Sequence, residues 1–546
     1  MRLPSLWLAI ERVIHPPAGG ADRVSQLCDL LTNIIKNKQL KIKTYSHGKT
    51  DSELLFLTIT DNMEKVAVNP GEDFLYAQVA GRIETQIRQK LLNAGDKLPS
   101  VRALSKEQGI SISTAYKAYV ELENMGMIEA RPKSGYYVRF LPARFTKAPE
   151  VKPPLKQIEQ VSVAEMIAMI YQNMSEDSVL RLSRAAPPLG LIPLAKLNRS
   201  MMEAMRKSPS GNSNYENLQG NISLRKQVAK NAFNWGGNIT ENDVVTTQGC
   251  MEALVFCLRA LTKPGDTVAI ESPTYFGIFN VMLSLDLKVL EIPVDPDTGI
   301  DIEYLAQAMD KVAIKACLFV PNFSNPVGCR MPDERKRQLV ELLASRKILL
   351  IEDDIYGEIY FGKSRPRTCK SFDTEGWVML CSSVSKSLAP GYRVGWCIPG
   401  RFKEQVINIK LMHTISSATP TQAAIAHFFE TGRYDLHMRN LRRALHTQCL
   451  RYTQAIATHF PEGTKISRPQ GGYALWIELN KNINAFELYQ AAIAQNISIA
   501  PGQIFSTDAR FTNFIRISFG IPFDDIVEES FKVLGGLVGR LEEDNK

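Results

Sequence analysis

A lysine follows two small hydroxyl residues in SSVSKSLAPGYRVGW, residues 382–396. An arginine stands seven positions further on, at Arg393. A lysine amine condenses with an aldehyde, and hydroxyls next to a guanidinium hold phosphate through charge-assisted hydrogen bonds. The chemistry that fits is an aldehyde cofactor carrying a phosphate. Lys386 would form the imine, with Ser383, Ser385 and Arg393 on the phosphate. Alone the string is weak, because a lysine on a turn is usually just solvated. Four other segments give it weight.

The segment IEDDIYGEIYF ends an apolar run in carboxylates. Pyridoxal phosphate needs an anionic partner for its ring nitrogen, which keeps that nitrogen protonated as an electron sink. Asp353 is the expected partner, and Tyr356, three residues on, the donor to the phenolic oxygen. Asp354 is the rival; a continuing strand would turn it to the other face. PNFSNPVG supplies Asn325 for the same phenolic oxygen. TTQGCMEAL places Gly249, Cys250 and Met251 at a strand-to-helix turn, where backbone N–H groups and the helix dipole favour a phosphate. ESPTYFG offers the Tyr275 ring to stack on the pyridine.

These segments need a layered scaffold, and the chain can supply one. It has 546 residues, 45% apolar and 22% charged. At about 100–200 residues per domain that means three or four domains. From about Arg181 onward, helical stretches alternate with short apolar runs such as DTVAIE, ACLFV and VMLCSS. That alternation predicts an α/β fold with a mainly parallel sheet. No run approaches the roughly 18 apolar residues of a membrane span, and MRLPSLWLAIER lacks the shape of a signal peptide. Nine scattered cysteines without a C-x-x-C pair suit a reducing cytosol. No dense His/Cys cluster predicts a metal site.

The net charge is +8, and its location matters more than its sign. Residues 74–140 hold ten Lys/Arg and six Asp/Glu, a surplus of four. A compact basic module predicts a polyanionic partner. Val79, Ile83, Ile87 and Leu91 mark one helical stripe. Ser100 caps a second helix over SVRALSKEQ. A third helix turns Ala115, Tyr119, Leu122 and Met125 inward and stops at Gly126. MIEARPKSGYYVRF reads as two short strands around a turn. Three helices and a wing make a winged helix-turn-helix, whose third helix lies in the major groove. Ser111, Ser113, Thr114, Tyr116 and Lys117 are the donors at its start. Arg102 is placed for a phosphate, and Lys133, Ser134 and Gly135 form the wing tip.

The order helix, LPSVRAL, GIS, helix, ARPKSGYYV resembles the winged-helix domain of GntR-type transcription regulators. The resemblance implies DNA contacts from Arg102, Ser111, Ser113, Thr114, Tyr116 and Gly135. Ile112 stands where some relatives carry a basic residue. Residues 181–546 resemble the aminotransferase family of fold type I. That implies a large domain with a seven-stranded sheet and a smaller C-terminal subdomain from about residue 415. It also implies that Arg516 of NFIRISFG clamps a substrate carboxylate. Tyr215 of YENLQGNISLR would reach a partner subunit's phosphate, hence a homodimer. Cys250 and Met251 are less polar than the residues often found at that turn, so only their main-chain donors are expected to serve.

The two halves, joined by a Pro/Lys-rich linker over 141–180, resemble the MocR subfamily of GntR-type regulators. The expected architecture is multidomain: a winged helix-turn-helix (α+β) over 74–140 and a fold type I α/β pyridoxal-phosphate domain over 181–546. The expected function is a cytoplasmic, homodimeric DNA-binding transcription regulator. Its cofactor domain would sense an amine or amino acid that displaces Lys386 from the cofactor. The alternatives are an active aminotransferase, or a sensor of pyridoxal phosphate itself. Residues 1–73 carry no assignable role. The simplest reading is that translation starts at Met63 and that residues 1–62 are a gene-model artefact or a disordered arm.

Overall fold

In the computed structural model the described residues are 75–89, 91–93, 95–124, 127–131, 134–138, 148–149, 179–208 and 213–545. Expectations for residues 1–73, most of the linker, Met125, Gly126 and Lys133 lie outside them.

Three helices open the described chain: α1 (Leu75–Arg88), α2 (Val101–Glu107) and α3 (Ile112–Asn124). Strands β1 (Ile128–Arg131) and β2 (Gly135–Val138) follow as an antiparallel pair, with Ile128 opposite Val138 and Arg131 opposite Gly135. Val79, Ile83 and Ile87 pack with Leu104, Ala115, Tyr119 and Leu122 into one small core. The Tyr119 hydroxyl donates to Pro99 O at 2.7 Å, so this buried ring keeps its polar end satisfied. Ser100 caps α2 by accepting from Ala103 N at 3.1 Å. Leu91 departs from the expected stripe. The helix ends at Arg88, and Leu91 is 68% exposed. Apolar periodicity runs on past the point where the backbone stops being helical.

After a two-residue strand β3 (Leu180–Arg181), helices α4 (Leu194–Lys207) and α5 (Ile222–Ala232) lead into the main sheet. Its elements are β4 (Val245–Thr247), α6 (Cys250–Leu261), β5 (Thr267–Ser272), α7 (Gly277–Ser284), β6 (Lys288–Asp295), β7 (Gly299–Ile300), α8 (Ile302–Met309), β8 (Ile314–Phe319), α9 (Asp333–Ser345), β9 (Leu349–Asp353), β10 (Val378–Ser383) and β11 (Gly395–Ile398). The strand order is β4-β11-β10-β9-β8-β5-β6-β7. From β10 across to β6 neighbouring strands are parallel, and β11 runs antiparallel to both its neighbours. The sheet has eight strands where seven were implied. The eighth, β7, is two residues that fold back on β6 at the edge.

The strands of this sheet are buried runs with helices over them, as a mainly parallel sheet requires. Leu350, Cys317 and Ala269 face one apolar cluster, and Ile351, Leu318 and Ile270 the other. The chain continues through α10 (Lys403–His413), α11 (Thr419–Glu430) and the 27-residue α12 (Arg433–His459). A four-stranded sheet, β12-β13-β16-β15, follows, made of β12 (Lys465–Ile466), β13 (Ala474–Glu478), β15 (Ala500–Pro501) and β16 (Phe514–Ser518). Helix α13 (Ala485–Ile493), strand β14 (Ile497–Ser498) and α14 (Asp525–Asp544) complete it. Strand β14 pairs in parallel with β3, tying Leu180 to Ile497. Among the described residues no helix is long and apolar enough to cross a membrane.

Candidate cofactor and DNA sites

Five segments meet where the strands of the main sheet end. β4 runs into Gly249, β5 into Tyr275, β8 into Asn325, β9 ends on Asp353, and β10 leads to Lys386. A ligand crevice outside the carboxyl ends of the strands is the expected outcome of this layering.

Lys386 Nζ donates to Ala185 O at 2.6 Å. Burial, with Arg516 and Arg184 close by, pulls its pKa down to about 8, against the opposing pull of Asp353. Asp353 is buried. Its Oδ1 accepts from the Cys250 thiol at 3.3 Å and from Ile355 N at 3.1 Å. Burial raises its pKa to about 6, more than those two bonds lower it. Asp354 turns the other way. It is ion-paired with Arg365, and its Oδ1 accepts from Asn322 Nδ2 at 3.3 Å. The rival carboxylate is therefore committed to a structural pair.

Asn325 stands between two groups. Its Oδ1 accepts from Arg516 Nη1 at 3.1 Å, and its side chain also bonds the Tyr356 hydroxyl. Arg516, in the middle of β16, donates its other terminal nitrogen to Ser183 O. Its Nε is buried with no partner among the described residues. Burial lowers the guanidinium to about 10, which leaves it charged at neutral pH.

The turn before α6 is built around Arg393. The Arg393 Nη1 donates to Ser385 Oγ and Nη2 to Gln248 O, at 3.3 and 3.0 Å. Ser383 Oγ accepts from Ser385 N at 3.2 Å. Gly249 has φ 92°, and a Cβ there would stand 2.3 Å from Arg393 Nη2. The backbone thus requires glycine, and a Cβ would also push the Arg393 guanidinium aside. Met251 is half-buried against the α6 side of the core. Tyr275 is half-buried, with its ring 4.7 Å from that of Phe276.

Tyr215 is 86% exposed, and the structure brings it to none of these groups. Sequence reasoning passed over Tyr473, whose hydroxyl donates to Lys386 O at 2.7 Å, and the stretch Ser183–Ala185. Neither carries a motif.

In the winged helix, Arg102, Ser113, Tyr116, Lys117 and Ser134 are exposed. Ser111 has an added role. Its Oγ accepts from Thr114 N at 3.0 Å and lies 2.8 and 2.7 Å from the Ser113 and Thr114 hydroxyls. It caps α3. Gly135 has φ 113°, and Ser134 Oγ sits 2.6 Å from the Tyr137 hydroxyl.

The profile of the gntR family of bacterial regulatory proteins matches residues 75–138, and that of aminotransferase class I and II matches residues 180–527. The HTH-type transcriptional regulator YjiR of Escherichia coli is 37% identical over 85% of this chain and 99% of its own length. YdcR of the same organism, also described as an HTH-type transcriptional regulator, is 38% identical over 85% and 98%. Kynurenine aminotransferase of Pyrococcus horikoshii, solved with PMP, superposes with a TM-score of 0.64 at 26% identity, covering 71% of this chain and 96% of that one. LysN, an α-aminoadipate aminotransferase of Thermus thermophilus, gives 0.63 at 22% identity, over 70% of this chain and 100% of its own. With a gntR helix-turn-helix ahead of an aminotransferase fold along nearly the full length of such relatives, the chain belongs to the MocR subfamily of GntR-type transcription regulators.

Proposed function

We propose that this regulator binds pyridoxal phosphate around Lys386, acts as a cytoplasmic homodimer, and changes its hold on DNA when an amine or amino acid enters the site. The observation that carries this reading is the pairing of Lys386, held near a pKa of 8, with a buried Arg516 whose Nε lacks a partner among the described residues. A buried donor left unsatisfied costs about 1–3 kcal/mol, and a carboxylate is the group that would relieve it.

The residues fit the cofactor. Gly249 leaves room for Arg393 at the start of α6, where Ser385 and free helix N–H groups complete a phosphate cradle. Asp353 is a buried carboxylate held by the Cys250 thiol and Ile355 N. The Pyrococcus enzyme with PMP, and LysN solved with a phosphopyridoxyl-leucine, support the same group here. When bound, pyridoxal phosphate supplies an aldehyde that primary amines capture reversibly.

The chain's own residues then divide the work. Lys386 presents a largely desolvated amine. Asp353 holds a proton at the ring nitrogen, and the Cys250 thiol fixes its carboxylate. Asn325 and Tyr356 bond the phenolic oxygen, and Arg516 binds the carboxylate of an incoming amino acid. Arg102, Ser113, Tyr116, Lys117 and Ser134 meet the duplex, with Thr114 and Gly135 beside them. Tyr215, exposed on one protomer, reaches the partner's phosphate. An effector alters DNA affinity only by binding two arrangements of the dimer unequally.

The test measures operator affinity across a salt series, with and without pyridoxal phosphate, against a panel of amines and amino acids. Salt-dependent binding that shifts with cofactor and a particular amine supports the proposal. A shift with cofactor alone makes pyridoxal phosphate the signal. Sustained transamination without salt-sensitive DNA binding overturns the regulatory reading.

A further inference from the structure

Lys386 sits in an excess of positive charge. Arg516, Arg184 and Arg393 all oppose its protonation, and Asp353 favours it. On the reading above, a cofactor phosphate answers Arg393 and an amino-acid carboxylate answers Arg516. Arg184 is left over.

The backbone on either side of Arg184 is fixed at the site. Ser183 O accepts from Arg516, and Ala185 O accepts from Lys386 Nζ at 2.6 Å. The carbonyls before and after Arg184 thus face the two groups that would hold an α-amino acid. Ser183 and Ala185 are buried, the Ser183 hydroxyl lying 2.7 Å from that of Ser498. The Arg184 side chain is exposed, and among the described residues its guanidinium has no hydrogen bond or ion pair. Its charge is nonetheless felt at Lys386. A guanidinium free of partners among the described residues, on a residue whose flanking carbonyls face Arg516 and Lys386, is a receptor for a second anion.

We infer that Arg184 receives an acidic group on the effector's side chain, so that the effector is an amino acid with two acids. This rests on the amino-acid reading proposed above. Arg516 binds the α-carboxylate and Arg184 the distal acid, and the distance between them sets which chain length fits.

The experiment uses the full chain loaded with pyridoxal phosphate. It is titrated with L-glutamate against L-glutamine and with L-aspartate against L-asparagine, pairs that differ only by acid and amide. Binding is read from the visible absorption change and independently from the thermal shift. One acid should bind about tenfold more tightly than its amide. Arg184→Gln should erase that preference by weakening the acid to the level of the amide, and Arg184→Lys should restore part of it. Equal binding of acid and amide by the unsubstituted protein, or a preference that survives Arg184→Gln, overturns the inference while leaving the amino-acid reading standing. Silence toward all four amino acids also overturns the inference, while the amino-acid reading is decided by the wider panel above.

Discussion

Asp353 and Asp354 are consecutive carboxylates that face opposite sides of the main sheet, one bonded to the Cys250 thiol and the other ion-paired with Arg365. Their substitutions should therefore separate. Removing one partner of a buried pair leaves an uncompensated charge and costs about 3–5 kcal/mol. Of its two ion pairs Arg365 would keep the one with Glu358, at 2.7 Å. Asp354→Ala should lower the denaturation midpoint of the cofactor-free protein by that order. Asp353→Asn should change stability little or raise it slightly, because burial already disfavours its charged form. It should instead alter the absorption of the loaded protein. Equal destabilisation by both would contradict the division of roles.

The phosphate turn gives a steric prediction. A Cβ on Gly395 would lie 2.5 Å from the carbonyl carbon of Gly249, too close for the backbone to stay in place. Gly395→Ala should weaken pyridoxal phosphate at least about tenfold, a cost near 1.4 kcal/mol. Gly391→Ala, where a Cβ meets nothing within 4 Å, is the control. Cofactor titration by absorbance compares the two, and matching affinities would remove Gly395 from the phosphate turn.

Much of this site is legible in the sequence because strands alternate. Period two by itself puts Asp353 and Asp354 on opposite faces, and the turn residues after each apolar run mark where strands end. The segments without a sequence signal depend on pairing across the chain. Arg184 is placed by β3 against β14, with Leu180 opposite Ile497, and no local pattern announces such a contact. Tyr473 reaches Lys386 from the neighbourhood of β13 for the same reason. Leu91 shows the opposite failure, since an apolar stripe persists after α1 has ended. Ser111 carries two signals at once: in sequence its hydroxyl reads as a donor for DNA, and a serine just ahead of an apolar-periodic run is also an N-cap, the role its bond from Thr114 N shows.

The depressed pKa of Lys386 sets a pH dependence for cofactor loading. The neutral amine is the nucleophile. With a pKa of about 8, about a quarter of the molecules carry it at pH 7.5, against about one in a thousand for an ordinary lysine. The folded pKa lies below the unfolded one, so the ammonium form is the one the fold disfavours. Below about pH 8 that penalty is fully present, and it is relieved as pH rises from there toward 10.5. Loading followed by absorbance should accelerate through pH 7–8 and level off above it. A rate still rising tenfold per unit at pH 9 would show that the lysine is unperturbed.

Ser111 and Arg102 should fail in different ways at the DNA. Ser111 caps α3 through Thr114 N, so Ser111→Ala should cost about 1 kcal/mol of winged-helix stability. Affinity should then fall about equally for all sequences, while the dependence on salt stays as it was. Arg102 is exposed at the start of α2, and among the described residues it makes no side-chain hydrogen bond or ion pair. Arg102→Ala should leave stability within about 0.5 kcal/mol and flatten the plot of log affinity against log salt by about 0.9, the release of one counterion. Fluorescence anisotropy between about 50 and 200 mM salt covers the range where such slopes are measured. An unchanged slope for Arg102→Ala would place that guanidinium away from the phosphates.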